Sequence, residues 1–128
     1  MNIIFDLETD GLLPDVSKIH CLAMTVEGAQ ASQGFANEDQ YDNLEQALEL
    51  MSDAESLIGH NILGYDLPVL KKLLGWVPSK ETKISDTLVV SRLAYSHMMT
   101  LDVKKKHIPT KLYGSHSLKA WGQRIGVL

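Results

Sequence analysis

Asn2-Ile3-Ile4-Phe5-Asp6-Leu7-Glu8-Thr9-Asp10-Gly11 says more than any other segment about the architecture of this chain. Three consecutive apolar residues, Ile3, Ile4 and Phe5, predict a strand covered on both faces, as in the centre of an α/β sheet. Two carboxylates then interrupt it before the turn signal Asp10-Gly11. Residues i and i+2 of a strand share a face about 6–7 Å apart, so Asp6 and Glu8 project together near the strand end. An Asp-x-Glu pair can simply be a solvated outer face. At the end of a buried strand, however, two like charges repel unless a cation lies between them. Oxygen-only donors favour Mg²⁺ or Mn²⁺, and the ends of central strands are where open α/β sheets hold ligands.

Around this segment, 128 residues with 45% hydrophobic content suit one domain, 1–128, with one core. No apolar run approaches the ~20 residues of a membrane span. Met1 leads straight into strand-like residues rather than a secretory signal, which fits a cytoplasmic setting. The single cysteine, Cys21, has no internal disulfide partner and reads as a small buried residue. The net charge of −4 hides a division: residues 1–86 hold 15 acids and 5 Lys/Arg, whereas residues 87–128 hold one acid, Asp102, and seven Lys/Arg. Such a division can mark a nucleic-acid partner. Lys104, Lys105, Lys106 and Lys111 crowd one polar stretch that suits a phosphate backbone, or a solvated loop with no ligand.

The pattern predicts strands at Asn2–Leu7, Ile19–Val26 and Gln30–Phe35, the last two joined by a turn at Glu27-Gly28 in an antiparallel meander. Leu44, Ala47, Leu48 and Met51 have helical spacing, with Asn37 or Asp39 as caps upstream. A short strand, Ser56–Gly59, precedes a helix over Asp66–Leu74, in whose first turn Pro68 is tolerated and after which Gly75 is a stop. Lys83–Ser85 is a further short strand. Asp86 or Thr87 opens a helix through Leu88, Val89, Leu93 and Ala94. Residues 97–115 read as a long loop, and Ser115 or Ser117 opens a last helix with Leu118, Trp121 and Ile125. This order predicts an α/β fold with a mixed sheet, its three-strand meander followed by alternating helices and strands.

A second chemical candidate is Gly59-His60-Asn61-Ile62-Leu63-Gly64-Tyr65-Asp66-Leu67-Pro68. A strand enters a Gly-bearing turn and a carboxylate stands at the start of a helix. Asp66 there suits an N-cap, and a capping position is also a fixed one. The lone histidines carry less: His20 reads as packed on a strand, His60 as a pocket residue, and His97, His107 and His116 have no metal-ligand spacing. Trp76 and Trp121 read as core or cover.

Together these residues resemble the DEDD family of 3′–5′ exonucleases. Phe5-Asp6-Leu7-Glu8-Thr9 is similar to its first motif, and His60-Asn61 followed by Tyr65-Asp66 to its second. Lys18-Ile19-His20-Cys21, Asp86-Thr87-Leu88-Val89-Val90-Ser91-Arg92-Leu93 and Gly114-Ser115-His116-Ser117-Leu118-Lys119-Ala120-Trp121-Gly122 resemble the proofreading domains of T7-type phage DNA polymerases in order and spacing. The resemblance implies a ribonuclease H-like sheet and two divalent metal ions, Mg²⁺ or Mn²⁺, held by Asp6, Glu8 and Asp66. It also implies a DNA 3′ end bordered by Thr9, Leu12, Leu13 and Asn61, and a cytoplasmic setting, that of the bacterial host if the chain is phage- or prophage-encoded.

One departure matters. The family's third motif, a Tyr and an Asp separated by three residues, is missing: Tyr95 is followed four residues on by Met99, and Tyr113 by Ser117. The expectation is a domain lacking its final helix, with a polymerase subunit or a second copy of the chain as the partner that restores it. Asp86 then reads as a cap and Asp102 as solvated. The alternative function is a non-catalytic module that binds DNA or a polymerase.

Overall fold

In the computed structural model, which describes every residue except 38–42, β1 (Asn2–Thr9) is the central strand. It pairs antiparallel with β2 (Ile19–Val26), which pairs antiparallel with β3 (Gln33–Phe35). On its other side β1 runs parallel to β4 (Ser56–Gly59), and β4 parallel to β5 (Lys83–Asp86), giving the order β3-β2-β1-β4-β5. The mixed α/β sheet expected from the sequence is therefore present. The third strand is shorter than expected. The Ala29 N–H closes a turn onto the Val26 carbonyl at 2.9 Å, and pairing resumes only where Gln33 meets Met24.

The chain forms two compact units, Met1–Asp86 and Thr87–Leu128. In the first, Ile3, Phe5 and Leu7 of β1 join Leu22, Met24 and Leu57 beneath two helices, α1 (Leu44–Ser52) and α2 (Leu67–Leu74). Burying each such side chain stabilises the fold by about 1.5–3 kcal/mol. The burial along β1 alternates strictly, and Ile4 is 46% exposed. The strand is thus covered on one face only, not on both as the apolar run suggested. Ile4, Asp6 and Glu8 share the open face.

The N-cap of α1 is Asn43. Its side chain accepts from the Gln46 N–H at 3.0 Å, while the Gln46 side chain accepts from the Asn43 N–H at 2.9 Å. Asn37 supplies a second acceptor, for the Leu44 N–H at 3.2 Å. Asp39, the other cap considered, lies outside the described residues.

The second unit holds α3 (Thr87–Ala94), α4 (Met98–Lys105), a 3₁₀ turn at Thr110–Leu112 and α5 (Leu118–Ile125). The long loop expected over 97–115 is therefore largely helical. The residues that α4 buries are Met98 and Asp102, four apart, so its inward stripe combines one apolar residue with one acid. Asp102 is 1% exposed, against the solvated position expected. It accepts from Arg124 Nε at 3.1 Å and Nη2 at 2.7 Å, and from the Gly114 N–H at 2.9 Å. Arg124 also lies over the Trp121 ring, 5.0 Å from its centroid, and Trp121 Nε1 donates to Ser91 at 2.7 Å. Two smaller expectations change as well. His20 is exposed and Cys21 only half-buried, because both sit beside the register shift at Glu8/Thr9.

Candidate active site

Asp6 and Glu8 stand exposed on the open face of β1, as their spacing requires. The pairing of β1 with β4 runs from Asn2 to Ile4. Beyond it, the Leu7 N–H donates to Asp66 Oδ1 at 3.0 Å. That bond brings the carboxylate of the second motif to the strand that carries the first. Asp66 is 3% exposed. It is not a side-chain N-cap: it closes a π-helical turn, Ile62–Asp66, that runs directly into α2.

The electrostatics reflect this placement. Burial pushes the Asp66 carboxyl up to about 6, aided by the charges of Asp6 and Asp86 and opposed by the Leu7 N–H. Asp6 is raised as well, by lost hydration and then by the Glu8 charge, while the Leu7 backbone and the nearby His60 pull it the other way. Among the described residues, no three His, Cys, Asp or Glu side chains are gathered closely enough to enclose an ion. The donor chemistry nevertheless suits a hard divalent cation, since Asp6, Glu8 and Asp66 each offer carboxylate oxygens.

Asp86 stands immediately before α3, where the sequence expects a cap, and it also reaches back across the sheet. It ends β5, is 4% exposed, and accepts from the Asn61 N–H at 2.9 Å and the Leu63 N–H at 3.0 Å. Tyr65, absent from the expected site, links the two motifs: its hydroxyl bonds both Thr9 Oγ1 and the Gly11 carbonyl. A signal for it existed in its place beside Asp66 in the second motif, Gly64-Tyr65-Asp66. Thr9 is thereby fixed. Leu12 is 77% exposed, Leu13 packs partly against the core, and Asn61 is exposed with a left-handed φ of 61°.

The four lysines are exposed, but not on a single loop. Lys104 and Lys105 form the last turn of α4, Lys106 caps it with a left-handed φ of 53°, and Lys111 lies in the 3₁₀ turn. Cations there also complement the helix dipole.

A five-stranded mixed sheet with an Asp-x-Glu on its central strand and a third carboxylate at a neighbouring helix start describes a class as well as a molecule. The sequence pattern of the RNase H superfamily matches residues 3–127, and the chain belongs to that superfamily. It is 32% identical over 133 aligned positions to the DNA-directed DNA polymerase of Escherichia phage T7, and equally so to that of Enterobacteria phage T3. Each alignment covers 97% of this chain and 19% of the polymerase, so the chain spans about a fifth of the length of these relatives. Among solved structures, a nuclease in its apo form superposes with a TM-score of 0.55 at 18% identity, covering 98% of this chain and 65% of that one. The family B DNA polymerase of Pyrobaculum calidifontis superposes with a TM-score of 0.51 at 15% identity, covering 98% and 22%. At these identities the likeness bears on the fold alone.

Proposed function

We propose that the chain is a metal-dependent 3′–5′ exonuclease domain of the DEDD type, of phage DNA polymerase ancestry, acting on single-stranded DNA 3′ ends. The observation that carries this reading is the Leu7 N–H···Asp66 bond, which seats the third carboxylate against the strand bearing Asp6 and Glu8. Asp6, Glu8 and Asp66 would hold the divalent ions, Mg²⁺ or Mn²⁺. When bound, such ions supply Lewis acidity that activates water and neutralises charge on the leaving 3′ oxygen. The chain's own contribution is placement. Leu7 orients Asp66, Tyr65 ties down Thr9 and Gly11, and the exposed Leu12 and Asn61 border the terminal nucleotide. The exposed lysines of residues 104–111 would take the phosphate backbone.

The reading is tested by nuclease assay on 3′-labelled single-stranded DNA with Mg²⁺ or Mn²⁺. Wild type should shorten the strand stepwise, and Asp6→Ala should not. Equal rates from both proteins would remove the assignment.

A second reading has its own observation. Asp86 is bonded to backbone N–H groups and Asp102 to Arg124, so the two late acids are both committed elsewhere. With no Tyr-x-x-x-Asp pair in the chain, the alternative is a non-catalytic module that binds DNA or a polymerase. The partners of these readings are DNA, with a polymerase chain or a second copy of this one as a further partner. No helix among the described residues is long and apolar enough to cross a membrane.

A further inference from the structure

We infer that Asp86 is the positioning residue of this site: from β5 it clamps the start of the turn that delivers Asp66. The inference deepens the proposed function and rests on that reading only for its consequence, not for its geometry.

Four observations carry it. First, both Asp86 oxygens are directed at one turn, Oδ1 at the Asn61 N–H and Oδ2 at the Leu63 N–H. A carboxylate accepting two backbone N–H groups does for this turn what an N-cap does for a helix, from an adjacent strand rather than from the turn's own chain. Second, the clamped residue is the one with unusual backbone. Asn61 has a φ of 61° and a ψ of 28°, a left-handed conformation that most non-glycine residues avoid, that asparagine adopts most readily, and that persists where its surroundings hold it.

Third, the turn has little slack. A Cβ on Gly59 would stand 2.3 Å from the Ile62 side chain and 2.9 Å from the Phe5 carbonyl. A Cβ on Gly64 would stand 2.5 Å from the Asn61 side-chain oxygen. Displacing Asn61 or Leu63 therefore displaces the rest of the turn. Fourth, the turn ends at Asp66, whose carboxylate reaches the Leu7 N–H. The strand register agrees: Asp86 is the partner of Gly59, the last residue of β4 before the turn. The sheet thus places a buried acceptor where the backbone leaves it. Asp86 also adds negative charge near Asp66, a cost in keeping with a group retained for what it holds.

The test compares amide hydrogen exchange in wild type and Asp86→Asn, in metal-free buffer. Asparagine keeps the shape but offers only one acceptor oxygen. At least one of the Asn61 and Leu63 amides, together with the Leu7 amide, should exchange at least ten times faster, whereas the Phe5 and Leu57 amides in the core hold. Loss of the Leu7 protection is what marks positioning, because the Leu7 N–H is bonded to Asp66. An unchanged Leu7 rate overturns the inference, and so does a uniform rise across all five amides, which is plain destabilisation. Mn²⁺ binding followed by electron paramagnetic resonance reports separately on the proposed function. If Asp66→Ala binds Mn²⁺ as tightly as wild type, the metal reading fails, and the exchange rates still decide the role of Asp86.

Discussion

Leu7 and Asp66, 59 residues apart, meet in a 3.0 Å backbone-to-carboxylate bond beyond the last β1–β4 pair. The bond holds Asp66 in a buried place that disfavours its charge, with its carboxyl pushed up to about 6. Asp66→Asn keeps an acceptor for Leu7 and removes the charge. In EDTA at neutral pH this variant should be at least as stable as wild type, and more stable by up to about 3 kcal/mol, since a shift of one pKa unit corresponds to about 1.4 kcal/mol. Urea unfolding measures it. In the same variant the nuclease activity should disappear. A variant that is less stable yet still active would mean that Asp66 serves the fold and not the chemistry.

Asp102 and Arg124 form the buried ion pair of the second unit. The guanidinium holds the Asp102 carboxyl below its ordinary value of 3.8. A carboxyl with a lowered folded-state value contributes stability that is present above the unfolded value and lost as pH falls through the folded one. The Thr87–Leu128 unit should therefore unfold more readily as pH drops below about 4, tracked by fluorescence of Trp121 in a Trp76→Phe background. Asp102→Ala should cost about 3–5 kcal/mol at neutral pH, because it strands a buried guanidinium. Asp102→Ala that unfolds at the same urea concentration as its parent would contradict this.

Much of this was legible in the chain itself, for identifiable reasons. Strict spacing put Asp6 and Glu8 on one face, and turn signals bounded β2 and β4. What was not legible depended on partners distant in sequence. Asp102 looked solvated because its neighbours are lysines; its partner Arg124 is 22 residues away. Asp86 read as a cap because it precedes a helix, and nothing local revealed that its oxygens also accept from a turn more than 20 residues earlier. The exposure of Ile4 was hidden because an apolar run does not reveal which face is covered.

Gly59→Ala tests the close approach of β4 to the turn. Its Cβ would meet both the Ile62 side chain and the Phe5 carbonyl. One of these is backbone, so the strands must move apart. A cost of about 1–3 kcal/mol is expected, as for overpacking of a filled core. Thermal unfolding of Gly59→Ala, with Gly28→Ala as a comparison where the space is open but φ is 87°, separates crowding from backbone strain. No loss in Gly59→Ala would show that the turn can yield.

Replacing Lys104, Lys105, Lys106 and Lys111 together by Gln should weaken binding to single-stranded DNA. It should also flatten the slope of log K against log salt by about 0.7 for each phosphate no longer neutralised. Fluorescence anisotropy over a salt series gives both quantities. Lys104, Lys105 and Lys106 at the end of α4 also suit dipole compensation, so a drop in stability with affinity and slope unchanged would assign them to the helix instead.

The last prediction concerns the fourth carboxylate. The chain offers Asp6, Glu8 and Asp66, while Asp86 and Asp102 are engaged with backbone and with Arg124. Phosphoryl transfer depends mainly on positioning and on charge stabilisation, and loss of one such group commonly costs on the order of 10²–10³ in rate. The isolated chain should therefore bind Mn²⁺ weakly and degrade DNA slowly. Activity should rise on adding a polymerase chain that supplies a Tyr and an Asp with the family's spacing, or with protein concentration if a second copy helps to complete the site. Sedimentation and nuclease assays on the same samples distinguish these cases. A verified monomer with an undiminished rate, abolished by Asp6→Ala, would establish that three carboxylates suffice.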